Sequence, residues 1–399
     1  MNGSSREFAG ISVAGLLLYL SYSLSRSPVI PLFARSLGAS TQLVGWIVAA
    51  STITGIAVKL PGGALSDHLG RRVLLLVGAC FFAFTPFLYA GVASIALLLI
   101  LRVIHGNATA LFGPSASAAI SDITDPSRRG VRLGLYASMQ GIGQSMGPFF
   151  GGALISGVGF HAPFVVSGIV GCLGLACVFL SVHRRAPQTV RTGRSNIVTG
   201  LREVLGSRPI LVTSFTVAAM MVVVGSYNGF FPLYASESLG IDAWHIGTVF
   251  AIQTTTTLLA RPLMGRFSDR VGRKPLILGA LIWSGALIAL LPHLSSVGAL
   301  LAFGGAWGLG LSVVSSVGGA LITDLSKSAH YGAAHGAFGT IYDIGEASGP
   351  ILAGLIASSL GYTAMFTFMA VLLGLSSCIF LRTDIMSQLS TLDNARGPG

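Results

Sequence analysis

The chain of 399 residues is 52% hydrophobic and only 9% charged, and its mean hydropathy is +0.78. A water-soluble chain of this length carries far more charge on its surface, so the composition excludes a soluble globular protein and indicates a lipid environment. The formal net charge of +11 would suit a nucleic-acid-binding protein, but the distribution of the basic residues described below argues against a nucleic-acid partner.

Twelve apolar segments, most of them about 20 residues long, can cross a bilayer as helices. The first six lie at about 8–32, 43–61, 73–93, 95–120, 132–156 and 161–181. The last six lie at about 209–235, 244–264, 275–293, 296–320, 331–358 and 361–381. The pattern predicts an all-α polytopic membrane protein in which a linker, 182–208, joins the halves 1–181 and 209–381, and a tail, 382–399, follows.

The basic residues concentrate in alternate loops, whereas the other loops hold Arg35 together with Glu237 and Asp242. The basic set comprises Arg71, Arg72, Arg128, Arg129, Arg132, Arg184, Arg185, Arg191, Arg194, Arg202, Arg208, Arg266, Arg270, Arg273, Lys274 and Lys327. Positively charged loops remain in the cytoplasm, so both termini are expected there and the chain is expected to be a multi-pass protein of the cell membrane.

The two halves repeat each other at an offset of 202 residues. One motif, Gly63-x-x-x-Asp67-x-x-Gly70-Arg71-Arg72, returns as Gly265-x-x-x-Asp269-x-x-Gly272-Arg273-Lys274. A second, Gly143-x-x-x-Gly147-Pro148, returns as Gly345-x-x-x-Gly349-Pro350. A register kept over most of a half indicates two copies of one structural unit packed against each other.

These motifs resemble those of the major facilitator superfamily, and the resemblance covers nearly the whole chain. The doubled first motif is similar to the loop signature that follows that family's second and eighth helices. Arg102 and Gly106 are similar to its fourth-helix signature, and the run Gly134 to Gly152 matches its fifth-helix motif, which is typical of proton antiporters that export drugs. The resemblance implies two six-helix bundles related by an axis along the membrane normal, a substrate site near the midplane, transport by alternating access and a monomer.

The resemblance also implies a role for the first motif as a pair of gating loops. Asp67 with Arg71 would contact the start of the eleventh helix, and Asp269 with Arg273 would contact the fifth, when the cytoplasmic side is closed. Both aspartates are expected in short turns, where a carboxylate meets helix N-termini, and simple neutralisation of loop charge is the alternative. The other gating-loop residues are Gly63, Gly70, Arg72, Gly265, Gly272 and Lys274.

The second motif is predicted to serve packing. Its glycines let helices approach closely, and its prolines bend them where a backbone hydrogen bond is lost. These helix-seam residues are Gly143, Gly147, Pro148, Gly345, Gly349 and Pro350. Because the motif occurs in both halves, it also fits a purely structural role, which leaves the inference of antiport open.

Function is expected where the repeat breaks, because ionisable groups inside a membrane are costly and tend to face a cavity. Asp343 and Glu346 stand where the first half has Gly141 and Gln144, and carboxylates three residues apart share a helix face. We predict that they take part in proton coupling or cation binding. The alternative is a buried structural pair that is neutralised by an arginine.

Four basic residues within the apolar segments have open roles. Arg26 would neutralise a carboxylate of the eleventh helix, hold an anionic substrate group or reach the outer surface. By resemblance, Arg102 takes part in proton movement or holds the bundle together by hydrogen bonds. Lys59 and its equivalent, Arg261, are expected to reach the membrane surface or support the adjacent loop.

Aromatic and polar side chains of the segments around a central cavity are the candidate substrate ligands, and each also fits a place in the core. They are Tyr22, Tyr136, Gln140, Tyr227, Asn228, Gln253, Trp307 and Tyr342. Their chemistry suits a lipophilic or amphipathic solute.

The sequence therefore predicts a secondary active transporter that exports amphipathic or drug-like compounds in exchange for protons. The alternative is a carrier of sugars, organic anions or other metabolites, with Arg26 and Arg102 as ligands. An enzyme is disfavoured, because the sequence has no nucleophile–base constellation, no metal-ligand spacing and no ATP-binding motif. A sensor is disfavoured, because a soluble output domain is expected of a sensor and the linker 182–208 and the tail 382–399 are too short to hold one. The expected partners are a small-molecule substrate, protons and the lipid bilayer, without a cofactor or a metal.

Overall fold

The structure is a computed structural model that describes residues 3–182, 206–326 and 331–383, without the side chains of 60–68, 331 and 332. Within these residues every regular element is helical. The predicted linker, 182–208, and the predicted tail, 382–399, fall almost wholly outside the described residues, so the division into domains remains a prediction.

Six helices of the described residues form each half. The first half contains α1 (Gly3–Arg26, continued as Val29–Ser36), α2 (Thr41–Leu69), α3 (Arg71–Ala90), α4 (Ile95–Asp122), α5 (Arg129–Val158) and α6 (His161–Ser181). The second half contains α7 (Arg208–Glu237), α8 (Ala243–Val271), α9 (Arg273–Leu290), α10 (Val297–Asp324) and the stretch Tyr331–Arg382. Gly361, which has a φ of 82°, divides that stretch into α11 and α12.

Nine helical stretches of the described residues are long and apolar enough to cross a membrane. The last of them, Ala333–Arg382, contains both α11 and α12. Helices α5 and α8 are not among the nine, because polar residues such as Gln144 and Gln253 interrupt their apolar sequence. Since each half has an even number of helices, both ends of each half come to one side of the bundle, which we call the terminal side.

The gating motifs begin inside helices and not in turns, which corrects the sequence prediction. Helices α2 and α8 continue beyond their apolar runs, so Asp67 and Asp269 occupy the last helical turns. Gly70 and Gly272 then end these turns with φ values of 88° and 97°, a conformation that L side chains avoid. The sequence prediction ended these two helices at 61 and 264, where the hydrophobic runs stop. Helical backbone hydrogen bonding nevertheless continues into the polar motif.

The two halves meet along two equivalent helix pairs, α2 with α11 and α5 with α8. A Cβ atom added to Gly45 would lie 2.3 Å from the carbonyl oxygen of Pro350, and one added to Gly247 would lie 2.3 Å from that of Pro148. Gly45 and Gly247 are equivalent in the repeat, as are the two prolines. Such approach of helix backbones requires glycine, and it occurs at the end opposite the terminal side.

Other glycines of the same helices lack this close approach of backbones, although Gly141 of α5 meets the side chain of Leu258 on α8. No atom lies within 4 Å of a Cβ added to Gly55 on α2, Gly134 on α5, Gly265 on α8 or Gly336 on α11. Among these helices, the tight contacts between the halves therefore concentrate at the end opposite the termini.

The predicted helix-seam glycines pack within each half as well. A Cβ added to Gly143 would lie 2.3 Å from the carbonyl oxygen of Leu16 on α1, and one added to Gly345 would lie 2.5 Å from that of Ala218 on α7. Leu16 and Ala218 are also equivalent positions in the repeat. The two halves therefore use the same backbone contact to hold their first and fifth helices together.

Candidate functional site

A cavity of about 250 Å³ lies between the two halves and is lined by seven helices, α1, α2, α4, α5, α7, α8 and α11. Equivalent positions line it from both sides. These pairs are Arg26 with Asn228, Ser51 with Gln253, and Thr52 with Thr254. The cavity therefore lies on the axis that relates the halves.

Two ion pairs cross this cavity. Arg26 Nη2 donates to Glu346 Oε1 at 2.6 Å, and Lys59 Nζ donates to Asp343 Oδ2. The carboxylates are largely shielded, since Glu346 keeps 19% and Asp343 keeps 15% of its side-chain exposure. In each pair a cation of the first half neutralises a carboxylate of the second half.

This charge arrangement determines what the cavity can do. An unpaired charge in a poorly hydrated site is costly, so a proton or a charged ligand that binds one carboxylate must also change what its basic partner contacts. Because α1 and α2 carry the cations and α11 carries the carboxylates, such an event changes the interaction between the two halves.

Arg102 lies outside the cavity lining and is only 1% exposed. It donates to the carbonyl oxygens of Ile47 at 3.0 Å and Val48 at 3.1 Å, and to Ser51 Oγ. Ser51 itself lines the cavity and accepts a long hydrogen bond, 3.5 Å, from the Tyr22 hydroxyl. Arg102 therefore ties α4 to α2 directly behind the cavity wall.

The second half has no cation at the equivalent place. Gly304 stands there, and a Cβ added to it would lie 2.8 Å from the carbonyl oxygen of Val249, the equivalent of Ile47. Close backbone packing thus replaces the charged anchor of the first half.

Three predicted substrate ligands, Tyr22, Asn228 and Gln253, line the cavity. Tyr227 and Trp307 are fully buried, with ring centroids 5.6 Å apart in an aromatic cluster of the second half. Their role in substrate binding remains a prediction.

The other three predicted ligands also lie outside the cavity lining. Tyr136 is buried, and its hydroxyl accepts a hydrogen bond from Gln140 Nε2 at 3.0 Å. The ring centroid of Tyr342 lies 6.3 Å from that of Phe338. A contribution from these residues to binding likewise remains a prediction.

Sequence reasoning missed Lys59, which was expected to reach the membrane surface or support the adjacent loop and instead pairs with Asp343. A signal was available, because Lys59 is a charge inside the apolar segment 43–61 and such charges tend to face a cavity. Phe250 and Thr254 of α8 also line the cavity, and no charge distinguishes them from core residues.

The gating motifs form equivalent ion pairs on the terminal side. Arg71 Nε lies 3.3 Å from Asp122 Oδ2, and Arg273 pairs with Asp324 and, at 3.5 Å, with Asp269. These pairs join α3 to α4, and α9 to both α8 and α10. The side chain of Asp67 and those at the start of α11 lie outside the described residues, so the gating role remains a prediction.

Two similar helical bundles around a charged central cavity define a membrane carrier of the alternating-access type. The sequence profile of the Major Facilitator Superfamily matches residues 11–251 and 214–394. The chain belongs to this family. Its members are transporters of small molecules and not enzymes, and they typically work as monomers.

Relatives in this family include proteins named for drug resistance. An uncharacterized MFS-type transporter of Methanocaldococcus jannaschii is 26% identical over 86% of this chain and 90% of its own length. Multidrug resistance protein MdtG of Escherichia fergusonii is 26% identical over 85% of each chain. Multidrug resistance protein 1 of Bacillus subtilis is 26% identical over 91% of this chain and 93% of its own. The resemblance to drug-exporting members is thereby confirmed.

Solved structures share the fold. A bacterial homologue of the human lysosomal transporter Spinster, in an inward-facing and unoccupied conformation, has a TM-score of 0.80 at 14% identity and covers 98% of each chain. The nucleoside transporter NupG has a TM-score of 0.74 at 14% identity over 96% of this chain and 99% of its own. The predicted all-α fold, with twelve transmembrane helices in two bundles, is confirmed.

Proposed function

We propose that this transporter exports small amphipathic compounds, cationic ones among them, in exchange for protons. The observation that carries the proposal is the pair of carboxylates, Asp343 and Glu346, on the wall of the cavity between the halves. Relatives named multidrug resistance proteins, which match 85% and 91% of this chain, support a drug-like class of substrate.

The two carboxylates couple the flows by competition. A carboxylate that binds a cation is charged, whereas one that carries a proton is neutral, so proton and substrate exclude each other at the same group. Each ligand favours the conformations to which it binds more tightly, and the carrier moves one ligand in each direction. Arg26 and Lys59 neutralise the carboxylates when neither ligand is bound.

Orientation follows from the charge of the loops. The loops on the terminal side carry basic residues such as Arg128 and Arg129, so we assign this side to the cytoplasm of a cell membrane. The tight glycine contacts between the halves lie at the opposite end. With this orientation they close the outer side, and the carrier is open towards the cytoplasm, ready to take up a compound for export.

A metabolite carrier is the second candidate, because Arg26 and Lys59 line the same cavity and would bind an anionic group once their carboxylates are protonated. Arg102, the other predicted ligand for such a substrate, is bonded to carbonyl oxygens of α2. This arrangement favours the first candidate over the second.

Proton-gradient dequenching in everted membrane vesicles separates the two. Lipophilic cations, sugars and organic acids are added in turn to vesicles that contain wild type, Asp343→Asn or Glu346→Gln. The proposal predicts that cations dissipate the gradient with wild type and fail to do so with at least one substituted protein. A response to sugars or acids, without a response to cations, would establish the metabolite carrier.

Asp242→Asn provides a matched control at a carboxylate outside the cavity lining. Burial raises the pKa of the Asp242 carboxyl, but hydrogen bonds from the backbone and ring of His245 outweigh this and hold its pKa below its usual range. Asp242 caps α8, and asparagine caps a helix equally well. This variant is expected to give the same dequenching as wild type. If it loses activity as well, the loss in the other variants comes from removing any negative charge and not from the cavity carboxylates.

A further inference from the structure

Lys59 is partly exposed, whereas its partner is shielded. Its side chain keeps 44% of its exposure, whereas Asp343, to which its ammonium group is bonded, keeps 15%. Lys59 lies on α2 towards the terminal side, and it lines the same cavity as Asp343. The ammonium group therefore binds the same carboxylate that, in the proposed function, binds the substrate cation.

The second cation of the cavity is held differently. Arg26 bonds to Glu346 at 2.6 Å, and its guanidinium also lies over the ring of Tyr22, 5.8 Å from the ring centroid. A guanidinium is a planar fork held by several groups at once, whereas an ammonium is a point charge on a flexible stem. Of the two cations, Lys59 is the one that a ligand displaces more easily.

The repeat shows that the fold itself does not require this pair. Arg261, the equivalent of Lys59, donates to Ser315 Oγ at 3.0 Å. Gly141, the equivalent of Asp343, packs closely against Leu258. The second half therefore keeps a cation at the position equivalent to Lys59. In the first half, however, the position equivalent to Asp343 is a glycine and provides no carboxylate for that cation.

We propose that Lys59 is a tethered competitor of cationic substrates for Asp343 and thereby sets the affinity and charge selectivity of the cavity. This inference rests on the proposed function. In the empty carrier the Lys59 ammonium occupies Asp343, and an entering cation displaces it towards the hydrated terminal side. A tethered group has a high effective concentration, so an entering cation has to compete with it at every encounter.

Because Lys59 occupies Asp343 in part of the empty carriers, the apparent affinity for a cation equals its intrinsic affinity multiplied by the fraction of carriers in which Asp343 is free. If Lys59 occupies Asp343 in about nine of ten empty carriers, its removal tightens cation binding about tenfold. For an anion of the same shape the effect has the opposite sign, because the cavity loses a positive charge.

The test compares two ions of equal shape and opposite charge, tetraphenylphosphonium and tetraphenylborate, in equilibrium binding to purified protein at alkaline pH. Lys59→Gln is expected to bind the cation about tenfold more tightly than wild type and the anion more weakly. Lys59→Arg, which keeps the charge, is expected to bind the cation no more tightly than wild type does. Arg261→Gln, the equivalent position, is expected to bind as wild type does. Adding Asp343→Asn to Lys59→Gln is expected to remove the gain.

The outcomes separate this inference from the proposed function. If wild type binds and exchanges the cation but Lys59→Gln binds it no more tightly, Lys59 is not a competitor and the inference fails alone. Equal gains in Lys59→Gln and Arg261→Gln would also overturn it, since the effect would then be one of net charge. If neither wild type nor Lys59→Gln binds the cation, the proposed function fails and the inference with it.

Discussion

Arg35 and Glu237 occupy equivalent positions in the two halves, 202 residues apart, and form an ion pair with each other. Arg35 Nη2 donates to Glu237 Oε2 at 3.1 Å, and the Tyr362 hydroxyl donates to the same oxygen at 2.7 Å. Equivalent residues that touch each other must lie near the axis between the halves. This pair therefore joins the halves at the end opposite the termini, beyond the central cavity.

Reversing one charge of this pair is expected to open that end. Glu237→Arg places two cations together, and loss of an exposed pair together with like-charge repulsion amounts to about 1 kcal/mol, or about a fivefold change in the conformational equilibrium. The measurement is the reaction of a cysteine introduced at Asn228, on the cavity wall, with an impermeant thiol reagent added from the side opposite the termini. Its rate should rise about fivefold.

The exchange of both charges is the control. In Arg35→Glu with Glu237→Arg, the pair can re-form because the two positions are equivalent, so the reaction rate should return towards that of wild type. An exchange variant that reacts as fast as the single variant would show that the pair does not close this end.

A methyl group at Gly152 is expected to keep the halves from closing. A Cβ there would lie 2.2 Å from the carbonyl oxygen of Ala243 on α8, and overpacking of this kind typically costs about 1–3 kcal/mol. Gly152→Ala should slow transport in proteoliposomes and lower the unfolding temperature of the purified protein. Gly134→Ala lies on the same helix, where an added Cβ meets no atom within 4 Å, and should leave both unchanged. Equal effects of the two substitutions would contradict the packing assignment.

Arg102 is expected to act mainly as an anchor. Its hydrogen bonds to Ile47, Val48 and Ser51 are those of a charged donor, each of which typically contributes about 1.5–3 kcal/mol. Arg102→Gln should therefore lower the unfolding temperature, and Arg102→Lys should recover part of the loss because an ammonium cannot span all three acceptors. Arg102→Gln protein that stays folded through purification should still exchange substrate for protons. An Arg102→Gln protein with the wild-type unfolding temperature but without coupling would instead establish a role in proton movement.

The repeat made most of the fold predictable from the sequence. Its offset placed Gly45 and Gly247 in equivalent positions, and both receive a proline carbonyl from the other half. The ends of α2 and α8 were less predictable, because hydrophobicity marks the membrane and not the end of helical hydrogen bonding. Asp67 and Asp269 were therefore expected in turns, although they lie on helices.

The site was predictable where chemistry breaks the repeat and unpredictable where only orientation matters. Asp343 and Glu346 were found as carboxylates without equivalents, and an arginine was expected to neutralise them. Arg26 pairs with Glu346, whereas Asp343 pairs with Lys59. The helices are apolar on nearly every face, so no hydrophobic period shows which side meets the cavity. Tyr227, a fully buried aromatic residue, and Tyr22 on the cavity wall look alike in the sequence for this reason.

Competition between a proton and a substrate cation at Asp343 and Glu346 predicts that protons leave the protein when the cation binds. Tetraphenylphosphonium is added to purified, weakly buffered protein at an acidic pH, at which protons and not the basic side chains neutralise the carboxylates. The pH is recorded for wild type and for Asp343→Asn with Glu346→Gln. Wild type should release protons as the cation binds, and the substituted protein should release none. Saturating binding to wild type without any release of protons would contradict the account.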